Sequence, residues 1–136
     1  MVLLEHFKAN RHVDEFGCTV GEELLKVHRS YLNSVMAIWN LYSIHRLSHI
    51  TGGGIEGNTK RILPKQLKPK VDWKSWQRPP VFKVIQCLGK VPENHMRRTF
   101  NLGVGLVMAI GRRDVDGVLR SLSILQERPW VMGEVV

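Results

Sequence analysis

The sequence is poor in cysteine, has no long apolar run and, in one stretch, has almost no acid. Cys18 and Cys87 are its two cysteines and form no CxxC pair. That excludes a disulfide framework and points to reduced thiols, as in a cytoplasmic compartment. No apolar run approaches the roughly 20 residues of a membrane span. Met1-Val2-Leu3-Leu4-Glu5-His6 carries an acid where a signal peptide would carry its apolar region, so neither a secretory leader nor a membrane location is expected. Histidines stand at positions 6, 12, 28, 45, 49 and 95 without an HxxxH or Cys/His cluster, so no metal site is expected. No paired acids lie on a plausible strand end to hold magnesium. Repeats and low-complexity segments are also lacking.

The acid deficit is local. Residues 60–98 hold eleven Lys and Arg against Asp72 and Glu93, a net of +9, while the rest of the chain nets −1, giving +8 in all. All the excess charge therefore lies in one segment. It could serve a phosphorylated ligand, an acidic partner chain or RNA, or be merely a solvated basic surface. At 136 residues, with 43% apolar and 24% charged side chains, the chain reads as one globular domain, 1–136.

Periodicity orders the elements. Thr19-Val20-Gly21-Glu22 fits a capping box. Behind it Leu24, Val27, His28, Tyr31, Leu32, Val35, Met36 and Trp39 recur at helical spacing, predicting one helix over about 19–39 with this stripe packed in the core. Residues 1–17 are weakly patterned. A strand is expected over 44–50, a short helix over 55–63 closed by Pro64, and an edge strand over 68–73. A helix from Pro80 to Leu88 should stop at Gly89. Another short helix should run from Pro92 to Arg98. Leu102 to Ile110 reads as a strand apolar on both faces, hence central and covered on both sides. Gly103 and Gly105 imply close approach by another group. Asp114 begins a last helix to about Leu125, and Pro129 to Val135 reads as a final strand. The expected fold class is α/β: an α+β sandwich with about four strands in a mixed sheet and helices packed largely on one face.

The stretch around which these elements are arranged is His49-Ile50-Thr51-Gly52-Gly53-Gly54, with Asn58 shortly after. Three successive glycines carry an entropic cost. They imply positive φ angles or close approach to the backbone. A strand, a glycine loop and a helix start present free N–H groups to an anion, although a plain glycine turn fits equally. A P-loop fails here. Gly52 and Gly57 have the spacing, but Asn58-Thr59 follows where Lys-Ser/Thr is required.

Ser48-His49-Ile50-Thr51-Gly52-Gly53-Gly54, Asn58, Arg61-Ile62-Leu63-Pro64, Trp76 and Pro80 resemble the C-terminal domain of aminoimidazole ribonucleotide synthetase, the phosphoribosylformylglycinamidine cyclo-ligase family. The resemblance continues through Met96, Arg98-Thr99-Phe100-Asn101, Gly103, Gly105, Trp130 and Gly133-Glu134. Upstream, Gly21-Glu22, Leu24-Leu25, Arg29 and Tyr31 match the family's leading helix. About residues 13–135 are covered. Where the family tends to have Pro-Thr-Arg-Ile-Tyr-Val-Lys, this chain has Val27-His28-Arg29-Ser30-Tyr31-Leu32-Asn33. Thr59-Lys60 replaces Ile-Pro after Asn58, and Leu106 stands where Met is usual.

The resemblance implies a two-domain protomer that dimerises and closes formylglycinamidine ribonucleotide to aminoimidazole ribonucleotide in purine biosynthesis. In the family, ATP activates the formyl amide oxygen as a phosphate ester, and an amidine nitrogen displaces phosphate. ATP and magnesium are expected mostly from the N-terminal domain, which is absent here. No cofactor is therefore expected on this chain, and it should be inactive alone. The implied substrate-binding residues are His49, Thr51, Gly52, Gly53, Gly54, Asn58, Arg61, Arg98, Thr99 and Asn101; none is expected to be catalytic. Each has a plainer alternative, such as a tight loop, helix capping by Asn58 or a surface ion pair for Arg61. Phe100, Gly103 and Gly105 are expected to pack. Three readings stay open: a half-enzyme that needs an N-terminal partner domain or a homodimer, a non-catalytic descendant whose basic segment binds protein or RNA, and a phosphate-binding module without turnover.

Overall fold

The computed structural model describes residues 2–136. Helix α1 (Val2–His6) leads to a short antiparallel ladder of β1 (His12–Val13) with β2 (Cys18–Thr19). Helices α2 (Val20–Leu24) and α3 (Leu32–Trp39) follow, then β3 (Ile44–His49) and α4 (Gly54–Ile62). Strand β4 (Pro69–Val71), α5 (Pro80–Leu88) and α6 (Glu93–Thr99) precede β5 (Leu106–Ile110). A single 3₁₀ turn, Arg112–Asp114, leads to α7 (Val115–Ile124), and β6 (Gly133–Val135) ends the order.

The class is mixed helix and sheet, but the sheet differs from the expectation. The strands pair as three separate two-stranded antiparallel ladders: β1 with β2, β3 with β5, and β4 with β6. Strand β5 is half-buried along its whole length and has β3 as its one partner among the described residues, so it is not a central strand. It also starts later than its apolar alternation implies. Leu102 and Gly103 both take positive φ, and Asn101 turns the chain by accepting the Gly103 N–H on Oδ1 at 3.0 Å. That Asx turn overrides the alternation.

The helix expected over 19–39 is broken. Its start is as read, since the capping box is made in both directions: Glu22 N–H to Thr19 Oγ1 at 3.2 Å and Thr19 N–H to Glu22 Oε2 at 2.7 Å. Helix α2 then ends at Leu24, and residues 25–31 are irregular. Side-chain contacts hold this segment elsewhere: Arg29 Nη2 to Glu127 at 2.8 Å, and His28 to His49. The stripe is correspondingly not core. Val27 is 94% exposed, Leu32 65% and Met36 61%, whereas Ile38 on the other face of α3 is fully buried.

Three small apolar clusters hold the fold. Leu3, Val13, Val20, Val81 and Val84 join α1, the first ladder and α5. Ile38, Val118 and Leu122 join α3 and α7 against β3 and β5. Ile50, Ile55 and Val104, with Trp73, Trp76 and Met132, lie under the glycine loop. The third cluster is tied to α6 by an ionic knot. Arg78 grips Glu93 through both terminal nitrogens, at 3.1 and 2.6 Å. Arg97 Nε reaches the same carboxylate at 2.7 Å while its guanidinium stacks 4.3 Å over Trp73.

Glu93 gives a measurable consequence. Its hydrogen bonds from Arg78, opposed by partial burial and reinforced by Arg97 and Gln86, hold its pKa at about 2, below the usual 4.5. A depressed folded-state pKa means that the knot contributes fully above pH 4.5 and is lost as pH falls toward 2. The Glu93 side chain is 40% exposed, so solvent screening limits the effect to about 1 kcal/mol. Glu93→Gln should lower stability by that amount at pH 7 and flatten the stability profile between pH 4.5 and 2, as followed by thermal melts.

Candidate functional site

The loop between β3 and α4 is anchored at both ends by buried isoleucines. Ile50 is 1% exposed and Ile55 fully buried, and the Ile50 N–H extends the β3–β5 ladder to the Gly105 carbonyl at 2.9 Å. Between them the chain must turn from strand to helix in four residues. Two of its three glycines have identifiable structural reasons. Gly53 takes φ 102 as the N-cap residue of α4. Gly54 takes φ 68, and a Cβ there would overlap the Arg97 carbonyl oxygen, because the start of α4 lies backbone to backbone on the end of α6. Gly52 has neither constraint: its φ is not positive, and a Cβ there would meet nothing within 4 Å.

Asn58 sets the loop's shape from beneath. It is 6% exposed, and its Nδ2 lies within hydrogen-bond distance of three carbonyls: Thr51 at 3.2 Å, Gly52 at 3.3 Å and Gly54 at 2.7 Å. Its Oδ1 faces Thr51 Oγ1 at 3.5 Å and Arg61 Nη1 at 3.4 Å. Asn58 is therefore not the cap of α4, a position taken by Gly53. It latches the loop carbonyls inward. The Gly54 N–H reaches the Thr51 carbonyl at 3.3 Å, while the N–H groups of Gly52 and Gly53 have no acceptor among the described residues. Free N–H groups at a helix start favour an anion.

The basic residues flank this loop. Arg61 is exposed and has no carboxylate partner among the described residues; it leans on Asn58, and its Nη2 lies 3.7 Å from the place of a Gly53 Cβ. The surface ion pair, the plainer alternative at Arg61, is not formed among the described residues. Arg98 is exposed in the last turn of α6 and forms no ion pair among the described residues, and its carbonyl carbon lies 3.3 Å from the place of a Gly54 Cβ. Thr51 is exposed at the loop's start and Thr99 at the end of α6. His49 is exposed at the end of β3, opposite Leu106. Asn101 is spent on its Asx turn and makes no hydrogen bond to the loop. The structure thus brings together Thr51, Gly52–Gly54, Asn58 and Arg61, packs the backbone of Arg98 against Gly54, sets His49 against His28, and leaves Thr99 exposed at the end of α6 and Asn101 to its own turn. No group of three or more His, Cys, Asp or Glu that could hold a metal is assembled among the described residues.

Two residues quoted in the resemblance without a role become part of the neighbourhood. Arg29 and Tyr31 line a cleft of about 300 Å³ with Gly105, Glu127, Arg128 and Trp130. Burial pushes the Tyr31 phenol up. A Cβ at Gly105 would overlap the Tyr31 hydroxyl, and one at Gly103 the Pro79 ring, so these glycines admit side chains, as packing positions do. The helical periodicity of 24–39 concealed this region, because it assigned Arg29 and Tyr31 to a continuous helix.

The loop geometry separates folding from binding. Gly54→Ala must displace backbone and adopt a strained φ, so it should cost more than about 2 kcal/mol. Asn58→Ala strips donors from buried carbonyls and should cost about 2–3 kcal/mol. Gly52→Ala should stay within about 0.5 kcal/mol of the parent chain. Urea unfolding of the three variants checks the order.

Comparison with known proteins agrees with the loop motif. A family model described as AIR synthase related protein, C-terminal domain, matches residues 3–136. The chain is 42% identical over 135 residues to "Phosphoribosylformylglycinamidine cyclo-ligase" of Pseudothermotoga lettingae, covering 99% of this chain and 40% of that protein. It is 45% identical over 126 residues to the protein of that name from Sorangium cellulosum, covering 91% of this chain and 36% of that protein. For Trichlorobacter lovleyi the figures are 44% over 117 residues, 86% and 34%. The chain spans two fifths or less of the length of these relatives and corresponds to their C-terminal part. With its motifs in order and a family model over nearly its whole length, this chain belongs to the AIR synthase related protein, C-terminal domain family.

Proposed function

We propose that this chain is the substrate-binding C-terminal half of a phosphoribosylformylglycinamidine cyclo-ligase, and that its glycine loop holds the phosphate of formylglycinamidine ribonucleotide. The observation that carries this reading is the loop itself: N–H groups of Gly52 and Gly53 without an acceptor among the described residues, a backbone latched by Asn58, and the Arg61 guanidinium beside Gly53, while the backbone of Arg98 packs against Gly54. Amide donors and arginines at a helix start suit a phosphate monoester better than an uncharged ligand. Thr51 offers a hydroxyl at the start of the loop. Asn58 acts through the loop as a positioning residue.

The chain's own share of the reaction is binding and orientation. ATP and magnesium would be held by an N-terminal partner domain. An unpartnered surface supports such a partner. Leu32, Met36 and Trp39 fall at i, i+4 and i+7 on α3 and are 65%, 61% and 48% exposed, continuing from Leu25 and Val27. An apolar stripe of this size is what a covering domain would bury. The two-stranded β3–β5 ladder, half-buried on β5, could likewise be extended toward the four-stranded sheet by such a partner.

A reconstitution assay tests this. The chain is mixed with the N-terminal part of the Pseudothermotoga lettingae relative, ATP, magnesium and formylglycinamidine ribonucleotide. Ring closure should occur only in the complete mixture. Gly53→Val should abolish it, and Arg61→Ala should weaken substrate binding roughly tenfold. No turnover in any mixture, together with salt-sensitive RNA binding by the chain, would replace this reading with a non-catalytic basic module.

A further inference from the structure

Two histidines far apart in sequence meet beside the glycine loop. His49 Nε2, at the end of β3, lies 3.1 Å from His28 Nε2, in the irregular segment between α2 and α3. Their ring centroids are 5.0 Å apart with an interplanar angle of 54°. Both residues are exposed, and neither is in an ion pair among the described residues.

The pair is held from several sides. His49 is fixed by the β3–β5 register opposite Leu106. The His28 ring packs edge-on against Tyr31 at 5.6 Å, and its Cε1 lies 3.1 Å from the place of a Gly105 Cβ. The neighbouring charge of Arg29 is met by Glu127 at 2.8 Å, which lessens its repulsion of a cation. As a hydrogen bond, the contact needs one ring protonated on Nε2 and the other on Nδ1. With both rings protonated on Nδ1, two imidazole lone pairs converge on one point. A tetrahedral dication at 2.0–2.1 Å from each nitrogen requires an N···N separation of about 3.3 Å, a few tenths of an ångström beyond the contact seen.

We propose that His28 and His49 form a two-imidazole site for a borderline transition-metal dication of the Zn²⁺, Ni²⁺ and Cu²⁺ class, which imidazole suits. The remaining coordination positions are open to water or an oxyanion. The site is independent of the phosphate reading of the loop.

Zinc chloride titrated into the full chain by calorimetry should reveal one saturable site. His28→Asn and His49→Asn should each weaken it by about tenfold or more, and the double variant should bind more weakly than either single one. His12→Asn and His95→Asn should leave it unchanged. Either single variant binding zinc like the parent chain, or no saturable heat at millimolar zinc, would overturn the proposal. Cu²⁺ provides a second readout that does not depend on affinity. Its electron paramagnetic resonance spectrum should show coupling to two imidazole nitrogens in the parent chain and one in either variant. Equal coupling in all three would also overturn it.

Discussion

The side-chain amide of Asn58 sets the geometry on which this domain's candidate site depends. One buried Nδ2 group faces the carbonyls of Thr51, Gly52 and Gly54, drawing three acceptors of a tight loop inward. Since the peptide planes are rigid, turning these carbonyls inward fixes the outward direction of neighbouring N–H groups. The apolar anchors on either side, Ile50 and Ile55, prevent the loop from relaxing by sliding along the core. The amide side chain thus converts a glycine run with high intrinsic entropy into a defined array of donors.

The rest of the fold is arranged to keep that array in place. Gly54 permits α4 to start directly on the carbonyl end of α6, and α6 is in turn held by the Arg78–Glu93–Arg97 knot over Trp73. Trp76 donates its indole N–H to the Leu102 carbonyl at 3.0 Å, locking the turn that leads into β5. Strand β5 then fixes β3, whose last residue begins the loop. The basic segment serves both ends of this chain of contacts. Arg78 and Arg97 are committed to structure, whereas Arg61 leans on Asn58 beside the loop and neither it nor Arg98 has a carboxylate partner among the described residues.

Local chemistry was legible in the sequence, and long-range pairing was not. The Thr19–Glu22 box, Pro80 at the start of α5 and the end of that helix at Gly89 each depend on a few adjacent residues, and each was readable. Positive φ and close approach were both implied by the glycine run, and occur at Gly53 and Gly54. The helix over 19–39 misled because its apolar stripe has the right period but is exposed to solvent. Periodicity reports an apolar face and not what covers it. The start of β5 was misjudged because one asparagine side chain outweighed a run of alternating apolar residues. The His28–His49 approach left no local signal, since it joins an irregular segment to a strand end. Strand partners are likewise set by tertiary contacts, so three separate ladders could not be distinguished from one four-stranded sheet.

If the Asn58-latched loop is an anion site, its donors are the backbone amides of Gly52 and Gly53. Nuclear magnetic resonance of the ¹⁵N-labelled chain titrated with ribose 5-phosphate tests it most directly. Saturable shifts should centre on the amides of Gly52 and Gly53 and on the Arg61 guanidinium, and should be lost in Asn58→Ala variants that remain folded. Shifts confined to the lysines of residues 60–90, with the loop amides unmoved, would contradict it.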